Sequence, residues 1–481
     1  MKMPSELSVY NTLTHRKERF YPISGNSVKM FVCGQTVYDD AHLGHAKTYI
    51  NFDIIARWLK HLGYQLKYVQ NITDVDDKII ARAESTNADP VELARKYERR
   101  FLEDMAAIGV RKDIDSYPRS HDYIDAIRLQ IQLLLDNGYA YLSNGDVFFE
   151  VSKFKDYTKL SGVKLKELDV HRIEIQEGKK KPYDFVLWKS AKKGEPAWKV
   201  EVSNNGKKIE LNGRPGWHIE DTAITYSIFG PQYDIHGGAN ELIFPHHTNE
   251  IAQAEAAFGV KPFVKYWLHS GVLNIKGAKM SKSLKNFITI RDALKEHGPE
   301  SIRLMAASTH YKKAIEYTDN LLVEMDRKVA YFYSAFSIFF NMKESDSATH
   351  GAEVGDVIKE LEEKFTAAMN DDFNTPLAIS HLSSAVSRLR KFAESSGSIT
   401  NEAKKDASKK LLELAHIIGI LEGDSYKKPL NPKAAELIKE RERLRKLKEF
   451  SKADAIRKKL QDEYRLRIDD TDSGPVWWSA S

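Results

Sequence analysis

The sequence predicts an α/β domain built on a parallel sheet and interrupted by an insertion, then an all-α helical-bundle domain and a small C-terminal domain. Three observations carry this. “VKMFVC”, “AKTYINFDIIARWLKHLG” and “YQLKYVQNIT” read as strand, helix and strand, with Ile50, Ile54, Ile55, Trp58, Leu59 and Leu62 forming a helical stripe that ends at Gly63. Short apolar runs, glycine turns and an Ala-rich helix return from “GRPGWHIEDTAITYSIFG” through “YDIHGGANELIFPHHTNEIAQAEAAFG”, as expected where a parallel sheet resumes after an insertion. Beyond Asn320 the pattern turns almost wholly helical, broken at “KESDSATHGAEVGD” and “EGDSYKKPLNP”, and it closes on a hairpin-like “RLRIDDTDSGPVWWS”.

A chain of 481 residues exceeds what one hydrophobic core organises. The expected division places the two halves of the parallel sheet at 1–115 and 213–270, with the insertion at 116–212 mixing short helices, strands and basic loops. Residues 271–319 form a connecting region, 320–430 the helical domain and 431–481 the basic terminal domain. With 42% hydrophobic and 29% charged residues the chain has ample core and is not disordered.

One cysteine allows no internal disulfide, which fits a reducing compartment, and no run approaches the roughly 18 apolar residues of a membrane span. A soluble cytoplasmic protein is expected. The net charge of +5 is too mild to name a partner, yet “KAAELIKERERLRKLKEFSKADAIRKKL” gathers lysine and arginine on one helical stretch. Such a stretch is either a solvated face laced with ion pairs or a surface for a polyanion.

Cys33 stands a few residues ahead of His42-Leu43-Gly44-His45, where a strand hands over to a helix. A βαβ unit binds ligands beyond its strand ends, and imidazoles beside free backbone N–H groups there favour an anion such as phosphate. Asp39, Asp40 and His42 could instead simply cap the helix. Far downstream, “KMSKS” sets Lys279 and Lys282 in a flexible-looking context, able to neutralise charge on a departing pyrophosphate or to be an ordinary solvated loop.

Taken together, “FVCGQTVYDDAHLGH”, “NITDVDDKI”, “GRPGWHIE”, “DIHGG”, “FPHHTNEIAQ” and “KMSKS” resemble the class I aminoacyl-tRNA synthetases, in particular the cysteinyl-tRNA synthetase family. The likeness runs over nearly the whole chain, including “DDFNTP” and “SKADAIRKKL” on the anticodon side. It implies a Rossmann-type catalytic domain that ligates L-cysteine to tRNA(Cys) through a cysteinyl-adenylate, with Mg-ATP as substrate. His42, Gly44 and His45 would then face the phosphates, and Lys279 and Lys282 the leaving pyrophosphate. Thr73 and Trp217 match positions lining the amino-acid pocket, and His236, Gly237 and Gly238 the loop against the adenosine.

The resemblance also implies one zinc ion that recognises the substrate thiolate, held at the positions of Cys33, Asp221, His246 and Glu250. The family has a second cysteine where this chain has Asp221. An aspartate can still ligate zinc through oxygen at about 2.0–2.2 Å, so the site stays chemically possible but harder, with less certain metal selectivity. The competing reading makes Cys33 a buried thiol, Asp221 a helix cap and His246 a local hydrogen-bonding group.

A metal makes chemical sense here. A pocket relying on shape separates near-isosteres such as serine and cysteine by only about 10 to 200-fold, whereas coordination exploits a thiol pKa of about 8.5 that a hydroxyl cannot match. No editing domain is then expected. Asp74, Asp76 and Asp77 read as helix N-terminal charges, and Glu241 has no assigned role. In the basic terminal stretch, Trp477 or Trp478 could stack on an anticodon base. Two rival readings are a ligase passing activated cysteine to an amino-sugar and a non-catalytic RNA-binding relative. The long basic C-terminal portion weighs against the first, the intact HLGH and KMSKS against the second.

Overall fold

The computed structural model describes residues 6–163, 177–280, 287–345, 351–396, 398–427, 430–471 and 474–479. The chain divides into two compact units: Met1–Asp292 with Tyr311–Ile315, and Ala293–His310 with Glu316–Ser481.

The first unit is organised by a four-stranded parallel sheet in the order Val264–Ser270, Tyr233–Ala239, Ser27–Thr36, Gln65–Thr73. Its inner strands are buried along most of their length, as parallel strands covered on both faces must be. The helix Leu43–His61 supplies one cover, burying Ile50, Ile54, Ile55, Trp58 and Leu59 and stopping before Gly63, whose φ of +90° no longer continues the helix. The register between Ser27–Thr36 and Gln65–Thr73 slips between Val32 and Gln35, so Cys33 and Gly34 sit in a bulge. A bulge re-aims the side chain it carries, here the only thiol of the chain. Gly34 is required there, since a Cβ would lie 1.6 Å from the carbonyl oxygen of Asn71.

The insertion contributes the helix Ile124–Asp136 and a five-stranded antiparallel sheet ordered Ala140–Ser143, Asp146–Phe149, Phe185–Ser190, Lys207–Pro215, Trp198–Asn204. Chain resumption in the parallel sheet follows through the helix Ile219–Phe229.

The second unit is helical, with Pro299–Ala307, Leu321–Phe340, Gly351–Asn370, Thr375–Ser396 and Asn401–Ile418. A half-buried carboxylate binds three of its parts: Glu300 accepts from the Tyr333 hydroxyl at 2.7 Å and from the amides of Leu421 and Glu422, each at 3.1 Å. The terminal portion pairs the helices Pro432–Lys446 and Phe450–Tyr464 with a hairpin of Leu466–Thr471 and Gly474–Ser479. Ala434, Ile438, Leu460, Ile468 and Trp477 form its core. Among the described residues, no helix is long and apolar enough to cross a membrane.

Candidate active site

A cavity of about 460 Å³ opens beyond the ends of the strands Ser27–Thr36 and Gln65–Thr73. Cys33, Thr73, Trp217, Asp221 and His246 line one part of it, and His42, Gly44, His45, Glu241 and Lys279 another. The two motifs that the sequence places far apart thus face one space.

His42 is the N-cap of the helix Leu43–His61. Its Nδ1 accepts from Gly44 N at 3.1 Å and His45 N at 3.4 Å, while His45 Nδ1 accepts from His42 N at 3.2 Å. The rings stack at 3.8 Å between centroids. The expected cap is therefore present, and it engages Nδ1 of each histidine. Lys279 pairs with Glu241 at the cavity, a partner that spacing alone does not suggest. Lys282 lies outside the described residues.

Beneath the cavity floor, donor atoms converge around Cys33. Its Sγ lies 3.4 Å from Asp221 Oδ2 and 3.9 Å from Glu250 Oε1, and His246 Nε2 is 3.0 Å from each of those oxygens. Sulfur, oxygen, nitrogen and oxygen close a ring whose sides are 3.4, 3.0, 3.0 and 3.9 Å. A tetrahedral zinc with bonds of about 2.0–2.3 Å separates its ligand atoms by roughly 3.3–3.7 Å. The Cys33–Asp221 side lies in that range, while the two His246 sides are shorter and the Cys33–Glu250 side is longer, so holding an ion would take shifts of a few tenths of an ångström. Cys33, His246, His247 and Glu250 present ligand atoms all within 4.8 Å of one another, a set in which His247 stands in place of the expected Asp221. Sequence reading passed over His247, although the His-His doublet marks it.

Local structure explains how these groups meet. His246 sits in the irregular turn Ile243–His247, where Phe244 leaves helical geometry, and Glu250 in the helix Thr248–Phe258, so the expected spacing of four survives although the two do not share one regular helix. Asp221 is in the first turn of Ile219–Phe229, with its Oδ1 accepting from Asn71 Nδ2 at 2.5 Å. Asn71 Oδ1 in turn accepts from the Gly34 amide at 2.6 Å, tying the bulge to the carboxylate. Beyond the ring, His246 Nδ1 meets His218 Nδ1 at 2.8 Å, and His247 Nδ1 meets His269 Nε2 at 2.8 Å. Trp217 stacks on His246 with centroids 4.7 Å apart.

Electrostatics point the same way. Burial, then the carboxylates of Asp221 and Glu250, push the Cys33 thiol well up. Burial opposes a charge on His246, but Glu250 and Asp221 outweigh it and hold its pKa up at about 9. Burial also raises Glu250, with His246 pulling against it, and Glu250 Oε2 has no hydrogen-bond partner. Two acids and a thiol thus crowd one cationic ring, a donor set that a divalent cation would neutralise.

His236, Gly237 and Gly238 are fully enclosed in the strand Tyr233–Ala239. His236 Nε2 lies 3.2 Å from Cys33 Sγ, and a Cβ at Gly237 or Gly238 would meet the Phe52 ring at 2.3 Å or the His247 ring at 2.7 Å. The close approach that these glycines permit is to the protein's own rings. Asp76, in line with its reading as a helix charge, is the N-cap of Asp77–Thr86. Trp477 is only 9% exposed, whereas Phe450, 53% exposed, lies with Arg445 5.9 Å from its ring centroid.

Comparison with known proteins fits this geometry. Residues 19–327 match the family model for the tRNA synthetases class I (C) catalytic domain, and residues 364–422 match the DALR domain. The methionyl-tRNA synthetase of Mycobacterium tuberculosis in complex with methionyl-adenylate shares the fold, with a TM-score of 0.58 at 14% identity, covering 82% of this chain and 89% of that one. The fold is that of a class I aminoacyl-tRNA synthetase. Over 98% of each chain this sequence is 44% identical to the cysteine–tRNA ligase of Thermococcus onnurineus. It is 41% identical to that of Pseudomonas syringae pv. tomato over 98% of this chain and 99% of that one. The chain belongs to the cysteine–tRNA ligase family.

Proposed function

We propose that the protein charges tRNA(Cys) with L-cysteine in two steps inside the cavity described above. The observation that carries this is the closed ring of Cys33, Asp221, His246 and Glu250 set against the same cavity as His42, His45 and Lys279. Thr73 and Trp217 bound the space for the amino acid. Its carboxylate attacks the α-phosphorus of Mg-ATP, giving the adenylate and pyrophosphate, and the 3′-terminal ribose of tRNA then accepts the cysteinyl group.

The chain's own residues act by position and charge. The N-terminus of Leu43–His61, with the rings of His42 and His45, receives the phosphates, and Lys279 and Lys282 offset the charge on departing pyrophosphate. Gly44 suits close approach, since a Cβ there would already lie 2.9 Å from the His42 ring. Cys33, Asp221, His246 and Glu250 would hold one zinc ion, which when bound lowers the pKa of the substrate thiol and leaves the serine hydroxyl unfavoured. The basic helices Pro432–Lys446 and Phe450–Tyr464 are the surface for tRNA, with Phe450 the exposed aromatic face.

Amino-acid-dependent ATP–pyrophosphate exchange with cysteine, serine and methionine, with and without a strong chelator, tests the reading. Exchange with cysteine alone, lost on chelation, is expected. Exchange that survives prolonged chelation would remove the metal from the proposal, and no exchange with any amino acid would remove the activity.

A further inference from the structure

One turn into the helix that begins at His42, Lys47 is fully buried. Its ammonium donates to Gly271 O at 2.7 Å, to Tyr311 O at 3.2 Å and to Ser270 Oγ at 3.3 Å. Tyr311 O also accepts from the Gly271 amide at 2.8 Å, and Asn51, one turn further along the helix, donates to the Ser270 hydroxyl at 3.1 Å. Gly271 permits the crowding, since a Cβ there would lie 2.4 Å from the Lys313 backbone. Among the described residues Lys47 hydrogen-bonds to no acid, and burial pulls its pKa down to about 7. An ammonium taken out of water merely to fill a core is expensive, and a methionine would fill similar volume without desolvation.

What Lys47 holds is the root of a functional segment. The strand Val264–Ser270 ends at this knot, Val272 and Leu273 line the cavity, and Leu273–Ile275 then pairs with Ala278–Lys279. The far end of the same span returns to the start of the same helix: Leu43 N donates to Ile288 O at 3.0 Å and Ile290 N to Ala41 O at 2.9 Å. Both ends of the stretch carrying Lys279 are therefore fastened to the element that carries His42 and His45, one by backbone pairing and the other by the side chains of Lys47 and Asn51.

We propose that Lys47 is a positioning residue for amino-acid activation, pinning the root of the Leu273–Lys279 hairpin to the histidine-bearing helix so that both phosphate-contacting segments keep one geometry. This rests on the reading of His42, His45 and Lys279 as groups that contact ATP. Misplacing a reacting group by about 1 Å can cost about 10²-fold in rate, which sets the expected effect.

The test compares full-length wild type, Lys47→Met and Lys47→Arg in cysteine-dependent ATP–pyrophosphate exchange and in amide hydrogen exchange. Lys47→Met should lower kcat about 100-fold with the KM for cysteine unchanged within about twofold. Amides of Gly271–Lys279 should exchange faster while the helix Leu43–His61 stays protected, and Lys47→Arg should recover most of the rate. A methionine variant with wild-type kcat would overturn the proposal. So would one whose rate, cysteine KM and helix protection all deteriorate together, since that marks a packing residue only. Should Lys47→Met fail to fold, Lys47→Gln is read by the same criteria. If the wild type shows no cysteine-dependent exchange, the functional reading fails instead, and faster exchange of Gly271–Lys279 alone decides whether the tether exists.

Discussion

The donor cluster around Cys33 and the basic helices after Asn431 handle charge in opposite ways. In the first, Asp221, His246, His247 and Glu250 are all buried and lie within contact distance of the sulfur or of one another. In the second, the Glu440–Arg443 and Glu449–Lys452 pairs sit on an exposed face one helical turn apart. Burial couples charges, so each group in the cluster depends on its neighbours, whereas water screens the exposed pairs into near independence. On the function proposed above, the cluster would discriminate between two similar small molecules and the helices would hold a large polyanion.

That contrast can be broken in several places. The largest effect should come from Cys33→Ser, which removes the only sulfur from the donor ring. Metal bound per chain should fall severalfold or more, and cysteine-dependent exchange by more than about 100-fold, since even outer-shell changes typically cost 10 to 100-fold. Metal analysis on the purified variant checks this, and full retention of metal would show that Cys33 is not a ligand. Lys279→Ala should come next, raising the activation barrier by about 2.7–4 kcal/mol, the range for losing one preorganised charge-stabilising donor. Single-turnover adenylate formation measures it, and a near-wild-type rate would leave Lys279 as a mere partner of Glu241.

Among the described residues of the second region, one charged side chain is buried. Arg441, 1% exposed, grips Asp470 through two bonds of 2.6 and 2.7 Å. Arg441→Met should cost about 1.5–3 kcal/mol of local stability, the range for hydrogen bonds to a charged group. Thermal unfolding should shift and tRNA charging weaken, while adenylate formation is spared. The same pair has a pH signature. The Arg441 hydrogen bonds hold the Asp470 pKa below the usual carboxylate range, so its contribution is present above the unfolded-state value near 4 and is lost as pH falls below it. Unfolding midpoints between pH 3 and pH 6 read this directly in the wild type, and in Arg441→Met that part of the slope should vanish. The smallest effect is expected from exposed lysines: Lys448→Ala with Lys458→Ala should leave stability unchanged and reduce the log–log salt slope of tRNA binding by about 2 at most.

How much of this could be read in advance varied with what each feature depends on. The strand, helix and strand around His42 and His45 are local, set by apolar periodicity and a glycine stop, and they were legible with their boundaries nearly right. That Cys33, Asp221, His246 and Glu250 come together was legible only through resemblance, because nothing in the spacing of Cys33, Asp221 and His246 says that three separate elements converge. Asn71 and His236 were not legible as neighbours of the sulfur, since their approach follows from strand register and from a bulge at Cys33 that sequence periodicity does not reveal. The resemblance sets Gly237 and Gly238 against adenosine, and it says nothing of the Phe52 and His247 rings that stand where their Cβ atoms would be. Sequence reading makes Trp477 a stacking candidate and passes over Phe450, and the packing of the terminal hairpin buries Trp477 whereas Phe450 is left in water.

The chain's solitary cysteine has a practical consequence. Since Cys33 belongs to the proposed donor ring, oxidation of a single sulfur disables a whole molecule rather than grading its performance. An ageing preparation should therefore be a mixture of intact and dead enzyme, its apparent kcat falling while the KM for cysteine holds steady. Thiol-directed reagents, meanwhile, have only one place to react, so the rate of that one reaction reports how much of the population is occupied.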